Sequence, residues 1–270
     1  MRRFATLVAT LGTVVLVSVT GCGPSGDRPQ AAPSGPPTGK ISTPGAGATT
    51  PPPTDSPTTA PPDQPSPSRP GTEPLRRGDS GDAVEAVQQR LHELGYWVGQ
   101  VDGAYGALTE QAVFAIQKAA GTDPDGVVGP RTREALAEGV RPSASSENGR
   151  VVEVDLDRQL MMLVEDGAVE RIFNTSTGTF EYYTYDGERY LADTPPGKWE
   201  IGWQVDGWDP GPLGRLYRPK YFHSQGIAVH GYPEVPPYPA SHGCVRVTIA
   251  AMDWLWQADQ LPTGTSVWVY

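Results

Sequence analysis

The stretch RVVEVDLDRQLMMLVEDGAVERIF, residues 150–173, decides how the chain is read. Val152, Val154 and Leu156 alternate with Glu153, Asp155 and Asp157, the period of two that belongs to a strand. The apolar runs 160–164 and 169–173 then flank Glu165-Asp166-Gly167, and Asp-Gly between two such runs predicts a hairpin. Residues 199–205, 226–230, 245–247 and 267–270 predict further short strands. Only residues 248–259 read as a helix, with Ile249, Met252, Leu255 and Trp256 on one face. Residues 150–270 are therefore expected to form a mainly-β sandwich or barrel with one helix.

Upstream of this unit the period changes. Ala83, Val84, Val87, Leu91 and Leu94 recur three and four apart, which predicts a helix over 82–94 with Asp79 or Ser80 as N-cap and Gly95 as stop. The run Asp102-Gly103-Ala104-Tyr105-Gly106-Ala107-Leu108-Thr109 returns as Asp125-Gly126-Val127-Val128-Gly129-Pro130-Arg131-Thr132. Each copy is a glycine-punctuated turn feeding a helix. One helix carries Ala112, Val113, Ile116 and Gln117, and the next carries Ala135 and Leu136 with Pro130 in its first turn. Residues 75–139 thus predict a small three-helix bundle, tied to the β unit by a linker, 140–149, rich in Pro, Ser, Asn and Gly.

The chain has 270 residues, 21 Lys and Arg against 31 Asp and Glu, and a formal charge of −10, which argues against a nucleic-acid partner. At the start, Met1-Arg2-Arg3 precedes an uncharged apolar run to Val19, too short for a span and suited to a signal peptide over 1–21. Val19-Thr20-Gly21-Cys22 resembles a bacterial lipobox, which implies a diacylated Cys22 and a membrane anchor; an ordinary signal peptide or an uncleaved anchor are the alternatives. Residues 22–74 are Pro/Gly/Ser/Thr-rich with Ile41 as their only large aliphatic side chain, so they read as a disordered tether.

Two cysteines, Cys22 and Cys244, exclude a disulfide scaffold and a four-cysteine zinc site. Three of the four histidines, His223, His230 and His242, fall close together. His230-Gly231 ends an apolar strand, and Cys244 follows within Ser241-His242-Gly243-Cys244-Val245-Arg246. Extended, this run sends His242, Cys244 and Arg246 to one face and Gly243, Val245 and Val247 to the other. A free thiol with a pKa of ~8.5 needs an imidazole to become a nucleophile. Gly243 leaves room for the close approach of a carbonyl. On residues alone, a buried structural thiol, a His230/His242/Cys244 zinc site and an intermolecular disulfide remain alternatives.

Residues 75–138, through Leu75, Gly78, Gln88, Leu91, Gly95, Tyr96, Asp102-Gly103, Tyr105-Gly106, Thr109, Phe114, Gln117, Asp125-Gly126 and Val128-Gly129, resemble the peptidoglycan-binding domain type 1 family. That resemblance implies a non-catalytic module docking on cell-wall polymer. Tyr96, Trp97 and Tyr105 are its candidates for stacking on sugar, with burial in the core as the competing role. Residues 150–270, through Thr194-Pro195-Pro196-Gly197-Lys198-Trp199, His230-Gly231 and 241–246, resemble the L,D-transpeptidase catalytic domain of the YkuD type.

The second resemblance implies Cys244 as nucleophile and His230 as the activating imidazole. Ser241, His242, Gly243 and Gly231 would shape the site. Arg246 would grip a stem-peptide carboxylate or form a structural ion pair. Where some members have Ser after the histidine, this chain has Gly231, whose carbonyl can still orient the ring. The implied reaction is a 3→3 cross-link through a Cys244 thioester with loss of D-Ala, without metal or organic cofactor, and with inactivation by carbapenems. Water as acceptor would make the site an L,D-carboxypeptidase, and loss of activity would leave a wall-binding lipoprotein. The implied place is the outer face of the cytoplasmic membrane, reaching through the tether into peptidoglycan.

Overall fold

This computed structural model describes residues 73–270; the signal peptide, Cys22 and the tether as far as residue 72 lie outside the described residues. No helix among the described residues is long and apolar enough to cross a membrane.

The helical module contains α1 (Asp82–Glu93), α2 (Ala107–Ala119) and α3 (Pro130–Glu138). Gly81, rather than Asp79 or Ser80, is the N-cap of α1 and offers no side-chain bond. Asp79 is used elsewhere, accepting from the Arg76 amide at 2.8 Å. The internal repeat has a physical cause in two buried glutamines. Gln88 donates to Asp102, Ala104 O and Thr109 and accepts from Gly103 N. Gln117 donates to Asp125, Val127 O and Thr132 and accepts from Gly126 N. Each amide thereby satisfies one Asp-Gly turn, and Gly103 and Gly126 supply the left-handed backbone, at φ 71° and 72°, that the turns require.

Tyr96 and Tyr105 are not available to sugars. Both are buried, Tyr96 to 1 % exposure, and their hydroxyls donate to Val140 O and Gly126 O. Trp97 is half-buried and stacks on Phe173 at 6.0 Å.

In the β unit, β1 (Arg150–Asp155), β2 (Leu160–Glu165), β3 (Ala168–Asn174), β6 (Gly197–Glu200) and β12 (Ser266–Val269) form one sheet in the order β3-β2-β1-β12-β6. A second sheet runs β11 (Val245–Thr248), β10 (Ile227–Tyr232), β9 (Gly214–His223), β7 (Trp203–Gln204), with β8 (Trp208–Gly211) also on β9. β4 (Tyr182–Tyr185) and β5 (Glu188–Leu191) make a separate hairpin, and α4 (Ile249–Gln257) follows β11. The strand expected over 199–205 is broken at Ile201-Gly202, and its halves serve different sheets. Val152, Val154, Met161 and Leu163 meet Val229, Val245 and Val247 between the sheets, closed by Met252 and Leu255 of α4.

The first sheet is covered on both faces. Leu160, Met162, Val164 and Ile172, on its other face, join Leu91, Tyr96 and Ile116 in the core of the helical module. That is why 160–164 is unbroken apolar sequence. Four such side chains contribute about 6–12 kcal/mol at ~1.5–3 kcal/mol each, enough to hold module and sheet together. The backbone continues the contact, with Trp97 N donating to Ile172 O and Ile172 N to Gly95 O, both at 2.9 Å.

Residues 140–149 hold no helix or strand, yet they are anchored. Ser145 N, Ser146 N and Ser146 Oγ donate to the buried Glu153 carboxylate, as does the Tyr270 hydroxyl. Burial pushes the Glu153 acid up, but these donors outweigh it and hold its pKa below the usual range. The alternation in β1 therefore separates two buried faces rather than core from water.

A further polar junction lies under α2. Lys118 is 7 % exposed, and its Nζ donates to Gln159 O at 2.9 Å, to Thr175 O at 3.2 Å and to Asn174 Oδ1. Asn174 donates in turn to Gln111 of α2 and to Val235 O in the proline-rich loop after β10.

Candidate active site

β10 and β11 run parallel, with Val229 beside Val245 and His230 beside Arg246. The valines enter the core, so His230 and Arg246 face the other way, and the alternation carries Cys244, one residue before the ladder begins, to their side while it stays partly buried against the core edge. His230 and Cys244 are thus diagonal neighbours. Strand spacing and rise put their Cβ atoms about 8 Å apart, a gap that an imidazole and a thiol turned toward each other can close. No hydrogen bond joins the two side chains in this structure.

His230 is 4 % exposed, and its Nδ1 lies 2.9 Å from Gly231 O. A carbonyl only accepts, so Nδ1 carries the proton and Nε2 keeps its lone pair. A Cβ at Gly231 would meet Tyr217 Cδ1 at 2.8 Å and Met252 Cβ at 3.1 Å, so the backbone, not a serine, supplies the acceptor here. Burial pulls the His230 pKa down to about 4, against the Gly231 bond and with help from Arg246. Burial pushes the Cys244 thiol up, opposed by the Ala228 backbone and the Arg246 charge. The Cys244 Sγ lies 3.9 Å from Gly226 O as a weak donor. The resting pair is a neutral imidazole and a neutral thiol.

The turn before Cys244 is braced from both sides. Ser241 Oγ donates to Cys244 O at 2.6 Å and accepts from Gly243 N at 3.0 Å. Gly243 has φ 135°, and a Cβ there would stand 2.6 Å from Asp193 O. Its carbonyl accepts from Thr194 Oγ1 at 2.7 Å, and the same hydroxyl accepts from Gly178 N at 3.0 Å. Thr177 O takes the amides of Ala240 and Ser241, and Ser176 exchanges backbone bonds with Arg246.

His242 is exposed and meets the edge of Tyr183 in β4 at 4.7 Å, while Tyr183 stacks on Tyr190 of β5. Arg246 Nη1 donates to Ala240 O, and its guanidinium lies 4.0 Å over the Tyr232 ring. Its Nε is buried without a partner, and it forms no ion pair with a described residue. Among the described residues no three His, Cys, Asp or Glu side chains gather as a metal-ligand set, so His230, His242 and Cys244 do not converge in that way.

Residues 80–136 match the putative peptidoglycan binding domain family, and residues 149–269 match the L,D-transpeptidase catalytic domain. The solved structure of the L,D-transpeptidase from Xylanimonas cellulosilytica DSM 15894 is 50 % identical, over 75 % of this chain and 100 % of that one, at a TM-score of 0.72. The chain belongs to the L,D-transpeptidase family. It is a transpeptidase-type enzyme with a helical peptidoglycan-binding region ahead of a mainly-β catalytic domain.

Among curated relatives, N-acetylmuramoyl-L-alanine amidase CwlL of Bacillus licheniformis is 43 % identical over 79 residues, 28 % of this chain and 22 % of the amidase. N-acetylmuramoyl-L-alanine amidase CwlM of Mycobacterium tuberculosis is 41 % identical over 56 residues, 21 % of this chain and 14 % of that protein. This chain therefore spans less than a quarter of the length of either amidase.

Two residues around Cys244, Thr194 and Tyr183, and the buried Lys118 under α2 carried no role in the sequence reading. Thr194 was visible only as part of Thr194-Pro195-Pro196-Gly197. Tyr183 lies in a hairpin that Asp186-Gly187, between two tyrosine-bearing runs, could have revealed. Lys118 gave no signal, because a lysine on a helix reads as solvent-facing until its partners are known.

Proposed function

We propose that this L,D-transpeptidase uses Cys244 as its nucleophile and His230 as its base, cross-linking peptidoglycan stem peptides 3→3. The observation that carries the reading is the His230 ring itself. Its Nδ1 proton is committed to Gly231 O, and its free Nε2 lies on the sheet face shared with Cys244. Nε2 takes the thiol proton as Sγ attacks the carbonyl of the diaminopimelate residue in a tetrapeptide stem, and the carbonyl π electrons pass to oxygen. On collapse the C–N bond breaks, D-Ala leaves with the proton from His230, and a thioester remains. A side-chain amine of a second stem then attacks. It gives its proton to Nε2, and Cys244 regains one as it departs.

Because the Gly243 amide is spent on Ser241, other backbone donors must meet the oxyanion. Ser241, Gly243 and Thr194 hold the nucleophile's turn, His242 and Tyr183 flank it, and Arg246 binds a stem carboxylate. We further read the protein as extracytoplasmic and held to the membrane through Cys22, with the helical module on the wall.

Purified protein incubated with disaccharide-tetrapeptide is expected to release D-Ala and form a cross-linked dimer, both read by mass spectrometry. The Cys244→Ala variant is expected to release none. Silence of the wild type, or equal release by the variant, overturns the reading, and a tripeptide product without dimer assigns water as acceptor.

A further inference from the structure

Trp203 is 47 % exposed although one of its faces is fully used. Its indole stacks on Tyr221 with ring centres 4.7 Å apart and planes 14° from parallel. Tyr221 beneath it is 7 % exposed and pinned by its hydroxyl to Asp209 Oδ2 at 2.6 Å. The result is a flat, rigid aromatic plate with one covered side and one open side, next to a carboxylate.

The strand register says where the plate lies. Trp203 pairs with Tyr221, and Tyr221 pairs with Ala228. Directly paired residues share a sheet face, and Ala228 shares its face with His230 two residues on. Trp203 therefore stands on the same face as His230 and Cys244. Its row crosses three strand spacings to reach the level of Cys244, about 14 Å at 4.7–4.9 Å each. Tyr221 lies between Trp203 and Ala228 in this row. Trp208, also exposed, pairs with Tyr217, which pairs with Gly231 on the opposite face. It is not part of this row.

We propose that the open face of Trp203 is a saccharide subsite, seating a ring of the glycan strand that carries the donor stem. This rests on the stem-peptide reading above. Three extended stem residues span about 10–11 Å, and the acyl link to the sugar adds roughly one residue more, which matches the 14 Å row. A sugar presents flat C–H faces to an aromatic plate, and the Asp209 carboxylate supplies an acceptor for a ring hydroxyl.

The test compares two donors, disaccharide-tetrapeptide and free tetrapeptide, with purified protein. For Trp203→Ala, kcat/KM on the disaccharide donor is expected to fall about tenfold, through KM, the worth of one aromatic contact. The free tetrapeptide should be used as well as before, and Trp208→Ala should change neither donor. An equal loss on both donors, or no loss on either, overturns the subsite alone. A wild type silent on both donors overturns the transpeptidase reading and this one with it.

Discussion

Replacing Lys118 by Met sets two buried effects against each other. The ammonium is almost sealed from water, and burial pulls its pKa from 10.5 to about 7. In the unfolded chain it titrates normally, so between pH 7 and 10.5 the unfolded state binds the extra proton, and stability rises with pH across that window. Below pH 7 both states are protonated and this contribution is flat. Keeping the charge buried at pH 6 costs about 5 kcal/mol relative to an unperturbed lysine, at 1.36 kcal/mol per tenfold. Met removes that cost but leaves Asn174 Oδ1 and Thr175 O without their donor, about 1–3 kcal/mol each. Gln159 O loses less, because it also accepts from Thr175 N.

Lys118→Met is therefore expected to change stability little at pH 6 and to be the less stable protein at pH 9.5. The wild type should gain about 3 kcal/mol over that interval that the variant does not, from the 2.5 pH steps above 7. Urea unfolding of both proteins at the two pH values measures this directly. A wild-type-minus-variant difference that stays constant with pH would show that Lys118 titrates alike in both states. It would mean that the three carbonyl acceptors keep the ammonium charged despite burial.

Other perturbations act closer to the chemistry. With His230 titrating near 4, kcat/KM should lack an acid limb above pH 5, whereas alkylation of the resting Cys244 by iodoacetamide should keep rising beyond pH 9; a plateau of alkylation at neutral pH would contradict the neutral pair. Gly231→Ser must displace Tyr217, and is expected to cost about 1–3 kcal/mol of stability, checked by the urea midpoint. Thr194→Val keeps shape but leaves Gly243 O and Gly178 N unpaired, so D-Ala release should slow at least tenfold while the fold survives; unchanged kinetics would show that the turn holds itself.

The parts legible in the sequence were those whose period is set by local burial. The 160–173 hairpin, α4 and the helices of the first module show their apolar spacing directly. What stayed hidden depended on partners far along the chain. The Pro/Ser/Asn/Gly composition of 140–149 resembles a free linker, but Tyr96 on Val140 O, the buried Glu153 carboxylate on Ser145 and Ser146, and Asp166 on Gly149 N anchor it. The ten-residue strand β9 contains Gly214, Arg215, Arg218, Pro219 and Lys220, a poor strand signal that pairing with β8 and β10 overrides. Tyr96 and Tyr105 looked like sugar platforms by residue type. Trp203, in a two-residue strand, did not, because an open aromatic face follows from register rather than from composition.

The resting protonation of Cys244 and His230 bears on how the proposed mechanism would move the proton. Burial holds the Cys244 thiol above its ordinary pKa and pulls the His230 imidazole down to about 4, so at rest the proton stays on sulfur. Burial therefore disfavours a thiolate–imidazolium pair in the resting site. A neutral, half-buried thiol is correspondingly slow to oxidise. Under the proposed mechanism, attack draws the proton onto Nε2 while the C–S bond forms, with the growing charge on the carbonyl oxygen stabilising the imidazolium that burial disfavours. In the same proposed mechanism, a carbonyl not held against Cys244 gives the thiol no reason to ionise.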